Sequence, residues 1–549
     1  MDDVSHSIVL VSTVEDLVFN GEREKTYEHV GIGYLASYMR SKGYFVKILY
    51  VSEFEANDTA VERILSTQTL LIGFNAYAVT IKKVLELCAL VKEKENIHIC
   101  LGGQTPTFED ENILRGNPAV NSIVRGEGEL TFFELAESLR LNKALEGIDG
   151  LSYMKKGEYI KNQNRVPISD LNQLPWPARD NHEVINKNTF TIESSRGCLG
   201  RCSFCTAHHS DYYGQKEWRG RSPNNVVEEI SYLVKNYDAQ MFNFVDASFE
   251  DPGEKGKERI AQIAKLIIEK GLQISFVADF RAESLTEKDS DLLDLLIQAG
   301  LEGVVLGLES GNEDTLRLFN KHATVEDNKN IVKLLQSKRL GFMHNMIMFQ
   351  PYITTEGLKD NVKLLKELNL AYRFEDFQTR LQLQPGIELN KKMVQDGLIS
   401  EHKVLTSDIL DYQYLDSNIK EFSVAMASLI KEENLEMEFF DLNMQIFNLR
   451  LVKEISSMKE VSSELWSKVS EFERNLDSCR RELTNSNCKF VMEQIELIEQ
   501  KQWTREQFQD QVPVRLIEPT IVAKQKMRGH QKQMIKYLVI NNIDYKNVF

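Results

Sequence analysis

A chain of 549 residues is too long for one ordinary core and calls for two to four domains. With 42% hydrophobic and 27% charged residues its usage is that of a globular protein, and a net charge of −16 argues against a nucleic-acid partner, since an acidic surface repels phosphate. The N-terminal stretch lacks the basic, apolar and small-residue succession of a signal peptide, and no window approaches the length of a membrane span, so a cytoplasmic protein with no membrane partner is expected.

From residue 7 onward short apolar runs alternate with amphipathic stretches. Strands are predicted at 7–11, 46–50, 70–74, 97–101 and 122–124, and helices at 33–42, 80–94 and 130–140, the second with Ile81, Val84, Leu85, Cys88 and Val91 on one stripe. Strands separated by helices imply a parallel, doubly wound, Rossmann-like sheet over residues 1–140, whose ligands bind beyond the strand C-terminal ends. The turns at those ends carry Gly102-Gly103 and Gly126-Glu127-Gly128-Glu129. Glycines there serve either a close approach of backbone to ligand or plain tight turns.

Residues 141–185 read as a connector, with a β-ribbon over 150–160 and an extended Leu174-Pro175-Trp176-Pro177. A second alternation follows, with strands expected at 190–194, 241–245, 274–278, 303–308, 342–349 and 377–383, and helices at 223–236, 256–270, 288–299 and 355–368. Six βα units within 186–400 fit a partial (β/α)6 TIM-type barrel with its chemistry at the strand C-terminal ends. Residues 401–549 show no strand signal and form a helical domain, with a long charged run over 454–501 and an apolar stripe of Leu465, Val469, Phe472 and Leu476 suited to packing on a neighbour.

Seven cysteines, three of them within eight positions, do not read as a disulfide framework; they point to metal or redox work. The three are Cys198, Cys202 and Cys205, directly after the first expected barrel strand. Three thiolates on one glycine-bearing loop can hold three irons of a [4Fe–4S] cubane and leave the fourth open. That iron can chelate the amino and carboxylate groups of S-adenosylmethionine (SAM), and an electron then splits the C–S bond into methionine and a 5′-deoxyadenosyl radical. Two other readings of the spacing stand beside this one. A zinc site would recruit His208 or His209, and a closed cluster would take Cys479 or Cys488 as fourth ligand. Position at the end of a barrel strand favours the open cluster.

Cys198-x3-Cys202-x2-Cys205, with Phe204 before the last cysteine, resembles the signature of the radical SAM superfamily. The resemblance extends over residues 1–400 and is to the cobalamin-binding branch. It is carried by Leu174-Pro175-Trp176-Pro177-Ala178-Arg179-Asp180, by Trp218-Arg219-x-Arg221-Ser222-Pro223 with Val226-Val227-Glu228-Glu229-Ile230, by Phe244-Val245-Asp246-Ala247-Ser248-Phe249, by Leu306-Gly307-Leu308-Glu309-Ser310-Gly311 and by Leu383-Gln384-Pro385-Gly386. It implies that the three cysteines bind the cluster, that Phe204 lies beside the adenine, and that Glu309 and Ser310 meet the SAM ribose and amino groups. It also implies that Asp246 approaches the methionine moiety and that Arg281 pairs with the SAM carboxylate; a rim salt bridge is the other reading of those two. The sequence departs from the family after the fifth strand, where Met348-Phe349-Gln350-Pro351-Tyr352 replaces a glycine-proline turn, and no role is assigned there.

The N-terminal domain resembles the cobalamin-binding module. Gly102-Gly103 matches its last element, and Asn75-Ala76-Tyr77 stands where the module has Ser-x-Leu. Glu28, Val30 and Gly33 occupy the Asp, His and Gly positions of the cobalt-ligand turn. Val30 cannot ligate cobalt, and His29, one residue out of register, reads as a turn residue. The resemblance therefore implies cobalamin held without that histidine, on the loops 27–33, 75–80 and 102–107, with Gly126 and Glu127 near the nucleotide tail; a module that keeps the fold and binds no corrinoid is the alternative.

The activity so implied is methylation of an unactivated carbon of a small natural-product intermediate or a peptide, by way of a 5′-deoxyadenosyl radical and methylcobalamin, with flavodoxin or ferredoxin as electron donor. Such chemistry needs no general base, and the sequence shows no Ser/His/Asp or paired-carboxylate set. Two alternatives remain: a non-methylating rearrangement, ring contraction or cyclisation on the same cofactors, and a zinc-stabilised interaction protein.

Overall fold

The computed structural model describes residues 6–14, 16–19, 22–25, 29–180, 189–207, 218–400, 412–431, 437–458, 461–541 and 543. They fall in two compact units. The first comprises residues 1–275, 382–394 and 400–411, and the second residues 276–381, 395–399 and 412–549.

The first unit is built on a seven-stranded sheet. Its strands run in the order Phe45–Ser52, Ser7–Val14, Leu71–Asn75, His98–Gly102, Ser122–Val124, Leu151–Lys155 and Glu158–Lys161. The first five are parallel and the last two antiparallel. The ribbon expected inside a connector thus joins the sheet edge, because Ser122–Val124 is too short to close that side and pairs with Leu151–Lys155. Helices cover both faces. Val84, Cys88 and Val91 pack one face, and Met39, Leu135 and Ala136 the other. Gly73 is required where it stands, since a Cβ there would lie 2.9 Å from Leu10 and 3.0 Å from the Phe132 ring. Strand order reverses at Ser7–Val14, which is where such sheets open a ligand crevice.

The same unit holds the parallel pair Thr189–Ile192 and Met241–Phe244 that begins the second array, with the helix Pro223–Tyr237 capped by the Ser222 hydroxyl. Between them Ser195–Gly197 pairs antiparallel with Trp218–Gly220, a ladder that no periodicity announced because each strand is three residues long.

In the second unit Leu301–Glu309 lies between Ser275–Arg281 and Gly341–Met346, all parallel, with Ser290–Gln298, Val325–Ser337 and Thr355–Glu367 as helices. The strand expected at 377–383 does not form. A 3₁₀ turn, Phe374–Phe377, and one isolated bridge between Phe349 and Arg380 stand in its place. Buried charge bends the chain there: His344 Nε2 donates to Asp376 at 2.8 Å, and Arg373 donates to His344 Nδ1 at 2.8 Å.

The long charged run breaks at residue 458. Glu438–Ser457 ends, and Ser462 caps the helix Ser463–Glu499 by accepting from the Leu465 N–H. The stripe Leu465, Val469, Phe472 and Leu476 is buried against Met527, Met534 and Leu538 of the helix Glu518–Ile540. Arg450 forks onto Glu302 at 2.6 and 2.9 Å, joining these helices to the strands of their own unit. Among the described residues no helix is long and apolar enough to cross a membrane. The fold is mixed α/β: a Rossmann-like N-terminal domain, a partial TIM-type barrel and a helical C-terminal region.

Candidate active site

The cysteine loop begins where the ladder Ser195–Gly197 ends. Cys198 is buried, and Cys202 and Cys205 are half-buried. Two backbone N–H groups turn toward sulfur, Gly200 to Cys198 Sγ at 3.2 Å and Ala207 to Cys205 Sγ at 3.4 Å, as donors that stabilise thiolate. The loop is anchored from outside. The Leu199 N–H donates to the buried Asp251 carboxylate at 3.0 Å, and the Leu389 N–H to the Ser203 carbonyl at 2.9 Å. Among the described residues no three Cys, His, Asp or Glu side chains converge at single-ion distance. Thiolates that each take a separate iron of a cubane need not converge. His208 and His209 lie outside the described residues. Cys479 and Cys488 are core residues of the helical region, and burial pushes the Cys488 thiol up to about 12, so both behave as packing groups.

Half-buried Phe204 sits between the last two cysteines. Asp246 is fully buried and turned onto the segment that leads into the loop. It accepts from the Ser194 N–H at 3.3 Å, from the Ser194 hydroxyl at 2.9 Å and from the Ser195 hydroxyl. Burial raises its pKa, the nearby Arg259 charge working against that. Gln104, after the fourth strand of the N-terminal sheet, donates to Thr206 and, at 2.8 Å, to Gln384, so the Gln384-Pro385-Gly386 segment meets the cysteine loop. Gly386, at φ +83°, must be glycine, because a Cβ would fall 2.4 Å from the Phe108 ring.

The strand ends of the same unit enclose a cavity of about 1110 Å³ including its open mouth. Asn75 and Tyr77 line it, as do Gly102, Gly103, Gly126 and Glu127. Its far wall is Ser195, Arg196 and Gly197, the residues immediately before Cys198, with Val245 and Ala247 beside them. Gly103 sits at φ +103°, and a Cβ there would strike Asn75 Oδ1 at 2.5 Å and the Ala76 carbonyl at 2.7 Å. At Gly102 and Gly128, by contrast, a Cβ would meet no protein atom closer than 3.8 Å, so the room is left to a ligand.

Glutamates that the sequence offered as loop residues are the charged wall of this cavity. Arg196 pairs with Glu129 at 2.8 Å, with Glu193 at 2.9 Å and with Glu127 at 3.6 Å, while Arg219 forks onto Glu127. Burial alone would push the Glu129 carboxyl up; the Arg196 charge reverses this and holds it below the usual range. Burial raises Glu193 despite the same partner. Neither Glu193 nor Arg196 was singled out by sequence: they pair with each other, but the partners that make Arg196 the centre of the wall, Glu127 and Glu129, lie 69 and 67 positions away. His29 also lines the cavity. Its Nε2 meets Asn75 Nδ2 at 3.0 Å and the Tyr77 hydroxyl, and its Nδ1 is buried with no hydrogen-bond partner among the described residues. The orphaned nitrogen, the glycine-cut floor and the open strand ends fit a large flat cofactor with a metal and many amide groups, which is a corrinoid. Glu28 lies outside the described residues.

In the second unit, Glu309 ends its strand at φ +63° with its carboxylate buried and paired to Lys321 Nζ at 3.3 Å. Gly307 is the residue that lets them meet, as a Cβ would lie 2.6 Å from Glu309 Oε1 and 2.9 Å from Lys321 Nζ. A non-glycine residue at positive φ is strained and characteristic of functional positions. The Ser310 hydroxyl donates to Asn361 Oδ1 at 2.8 Å and receives the Asn312 N–H, which commits it to the turn. Arg281 pairs with Glu283 at 3.5 Å, the rim ion pair. Lys321 was missed because a lone lysine carries no spacing.

Residues 192–365 match the radical SAM superfamily and residues 17–136 the B12 binding domain. The chain is 29% identical over 350 residues to an uncharacterized methyltransferase of Pyrococcus horikoshii, covering 62% of this chain and 74% of that one. It is 28% identical over 369 residues to the anaerobic magnesium-protoporphyrin IX monomethyl ester cyclase of Synechocystis sp., covering 64% and 69%. The cobalamin-dependent SAM radical enzyme OxsB, solved with aqua-cobalamin and SAM, superposes with a TM-score of 0.67 at 16% identity, over 98% of this chain and 81% of its own, which establishes a shared fold. The chain belongs to the cobalamin-binding branch of the radical SAM superfamily. Its cofactors are those of the two matched families: a [4Fe–4S] cluster, SAM and cobalamin.

Proposed function

We propose that the protein is a C-methyltransferase acting on an unactivated carbon of a small natural-product intermediate or a peptide. The observation that carries this reading is the shared wall: Ser195, Arg196 and Gly197 line the cavity, and the next residue is Cys198. One short ladder therefore serves both the corrinoid bed and the cluster loop. When bound, the cluster and SAM supply a 5′-deoxyadenosyl radical, and cobalamin supplies the methyl group.

The chain's own residues hold and orient. Cys198, Cys202 and Cys205 would hold three irons, with the Gly200 and Ala207 N–H groups stabilising the thiolates. Asp251 and Asp246 fix the loop and the serines before it. Phe204 would lie against the adenine. Glu309, paired with Lys321, would accept from the ribose and amino donors, with the Ser310 turn shaping that end and Arg281 near the SAM carboxylate. Gly102, Gly103, Gly126, Glu127, Asn75 and Tyr77 would bed the corrinoid.

The balance sets the test. Two SAM, two electrons from a low-potential donor of the flavodoxin or ferredoxin class and one substrate C–H give the methylated product, methionine, 5′-deoxyadenosine and S-adenosylhomocysteine. Anaerobic incubation with methyl-deuterated SAM and candidate substrates is expected to produce both nucleosides and a product carrying the labelled methyl. The similarity to a cyclase supports a second reading, a ring closure on the same cofactors. It is favoured if 5′-deoxyadenosine forms with no S-adenosylhomocysteine and no label in the product.

A further inference from the structure

We propose that Arg259 is the positioning residue at the root of the cysteine loop, where its fixed positive charge offsets the buried carboxylates beside the loop and favours the reduced cluster. Neither a motif nor a spacing marks it in the sequence, and its place follows from the packing of one helix on two strand ends.

Arg259 lies in the helix Gly253–Glu269, after the strand Met241–Phe244. Gly256, one turn earlier on the same face, lets this helix close on the preceding turn, because a Cβ there would overlap the Glu250 and Asp251 carbonyls. The guanidinium then spans two segments of the site. It donates to the Ser194 carbonyl at 3.4 Å, to the Ser194 hydroxyl at 3.0 Å and to the Phe249 carbonyl at 3.0 Å. The Trp218 and Phe249 rings flank it, their centres 5.5 and 5.9 Å away, as cation–π partners. Ser194 stands four positions before Cys198, and its hydroxyl passes on to Asp246 at 2.9 Å. Guanidinium, hydroxyl and carboxylate thus form one chain behind the loop.

Three carboxylates surround this seat. Asp246, Glu250 and Asp251 are all buried, and the charge of each acts on Arg259, with Arg221 opposing them. Asp251 is also the anchor that accepts the Leu199 N–H, next to Cys198. Among the described residues no carboxylate meets Arg259 at ion-pair distance, since its donors go to carbonyls and a hydroxyl. Its charge is therefore not cancelled at contact by one partner and acts on all three acids together. An arginine keeps that charge at any working pH. Reducing the cluster adds negative charge beside these acids, and a fixed cation nearby lowers the cost of doing so.

The inference rests on the cluster and not on methyl transfer, so the test needs no substrate. Full-length protein is reconstituted anaerobically, iron and sulfide are counted, and the cluster is titrated against potential with electron paramagnetic resonance as the readout. Arg259→Gln keeps a hydrogen-bond donor and removes the charge, whereas Arg259→Lys keeps the charge and loses the fork. The expected result is a midpoint moved to more negative potential in Arg259→Gln and held close to wild type in Arg259→Lys. A wild-type midpoint in Arg259→Gln, or equal shifts in the two variants, overturns the inference and leaves Arg259 a purely structural residue. If Arg259→Gln alone takes up no cluster, the same comparison is made on Asp251→Asn. The double variant is then expected below Asp251→Asn alone. Equal midpoints there, or failure of both Arg259→Gln proteins to fold, overturn the inference. A wild-type protein that takes up no iron overturns it together with the cluster.

Discussion

The cysteine loop and the cavity wall beside it hold their ligands by opposite means. In the loop three reactive side chains lie within eight positions, and two of the thiols are served by N–H groups two residues onward. Local chain geometry does most of the work, and the anchors Asp251 and Leu389 add to it. In the wall most polar groups are satisfied by residues far away in sequence, Glu127 by Arg219 and Arg196, Glu129 by Arg196 and Asn75 by His29, while Glu193 pairs locally with Arg196. A local site fails one residue at a time, whereas a long-range network fails as a unit, because removing one partner leaves the others buried and unpaired.

The largest effect is expected at the loop. Alanine at Cys198, Cys202 or Cys205 should reduce SAM cleavage to background, with the circular-dichroism spectrum unchanged, since the anchors of the loop at Asp251 and Leu389 hold backbone groups that these substitutions keep. Retained cleavage would break the claim that the loop is the reactive centre. Next is the wall. Arg196→Met leaves buried Glu129 without its partner and half-buried Glu193 without its ion pair, while Glu127 keeps Arg219, and should cost about 3–5 kcal/mol of stability in urea titration, with loss of bound corrinoid. If that variant unfolds as the wild type does, the wall is not a network.

Gly103→Ala tests the cavity floor without touching charge. Its positive φ and the 2.5 Å approach to Asn75 Oδ1 predict about 1–3 kcal/mol of strain. Cobalamin affinity by equilibrium dialysis should fall by roughly tenfold to a hundredfold, while iron content stays at the wild-type value. Asp251→Asn is milder: it keeps the shape but removes the charge that holds the Leu199 N–H. The cluster should reconstitute fully and its reduction potential should rise, as loss of a nearby negative charge favours the electron-rich state. An unchanged potential would mean that the anchor is steric.

The smallest effect is a pH dependence. His29 has its folded-state pKa lowered to about 4 from 6.5, so the folded protein favours the neutral ring. Its contribution is present above pH 6.5 and is lost as pH falls toward 4. Corrinoid-free His29→Gln should therefore lose less melting temperature than wild type between pH 7 and pH 4.5. Equal losses would show that the ring is solvated.

Periodicity and spacing were enough for the alternating strands and helices of both arrays, for the cysteine loop and for the glycine turns, because each is encoded within a window of about ten residues. They failed where the decisive partner is remote. The apolar run 377–383 reads as a strand until Arg373 and Asp376 are seen closing on His344. Lys321 has no motif until Gly307 makes room for it beside Glu309.

The amino-acid sequence by itself determined the alternation that makes the sheets, the three thiols on one loop and the glycines that let backbone take positive φ, since these follow from local sterics and local chemistry. Only the tertiary structure decided which carboxylates face Arg196, that the ladder before Cys198 is also a cavity wall, and that a histidine one position out of register turns its ring into that cavity. Those depend on which distant segments come together, and burial then fixes which of the assembled polar groups are satisfied and which await a ligand.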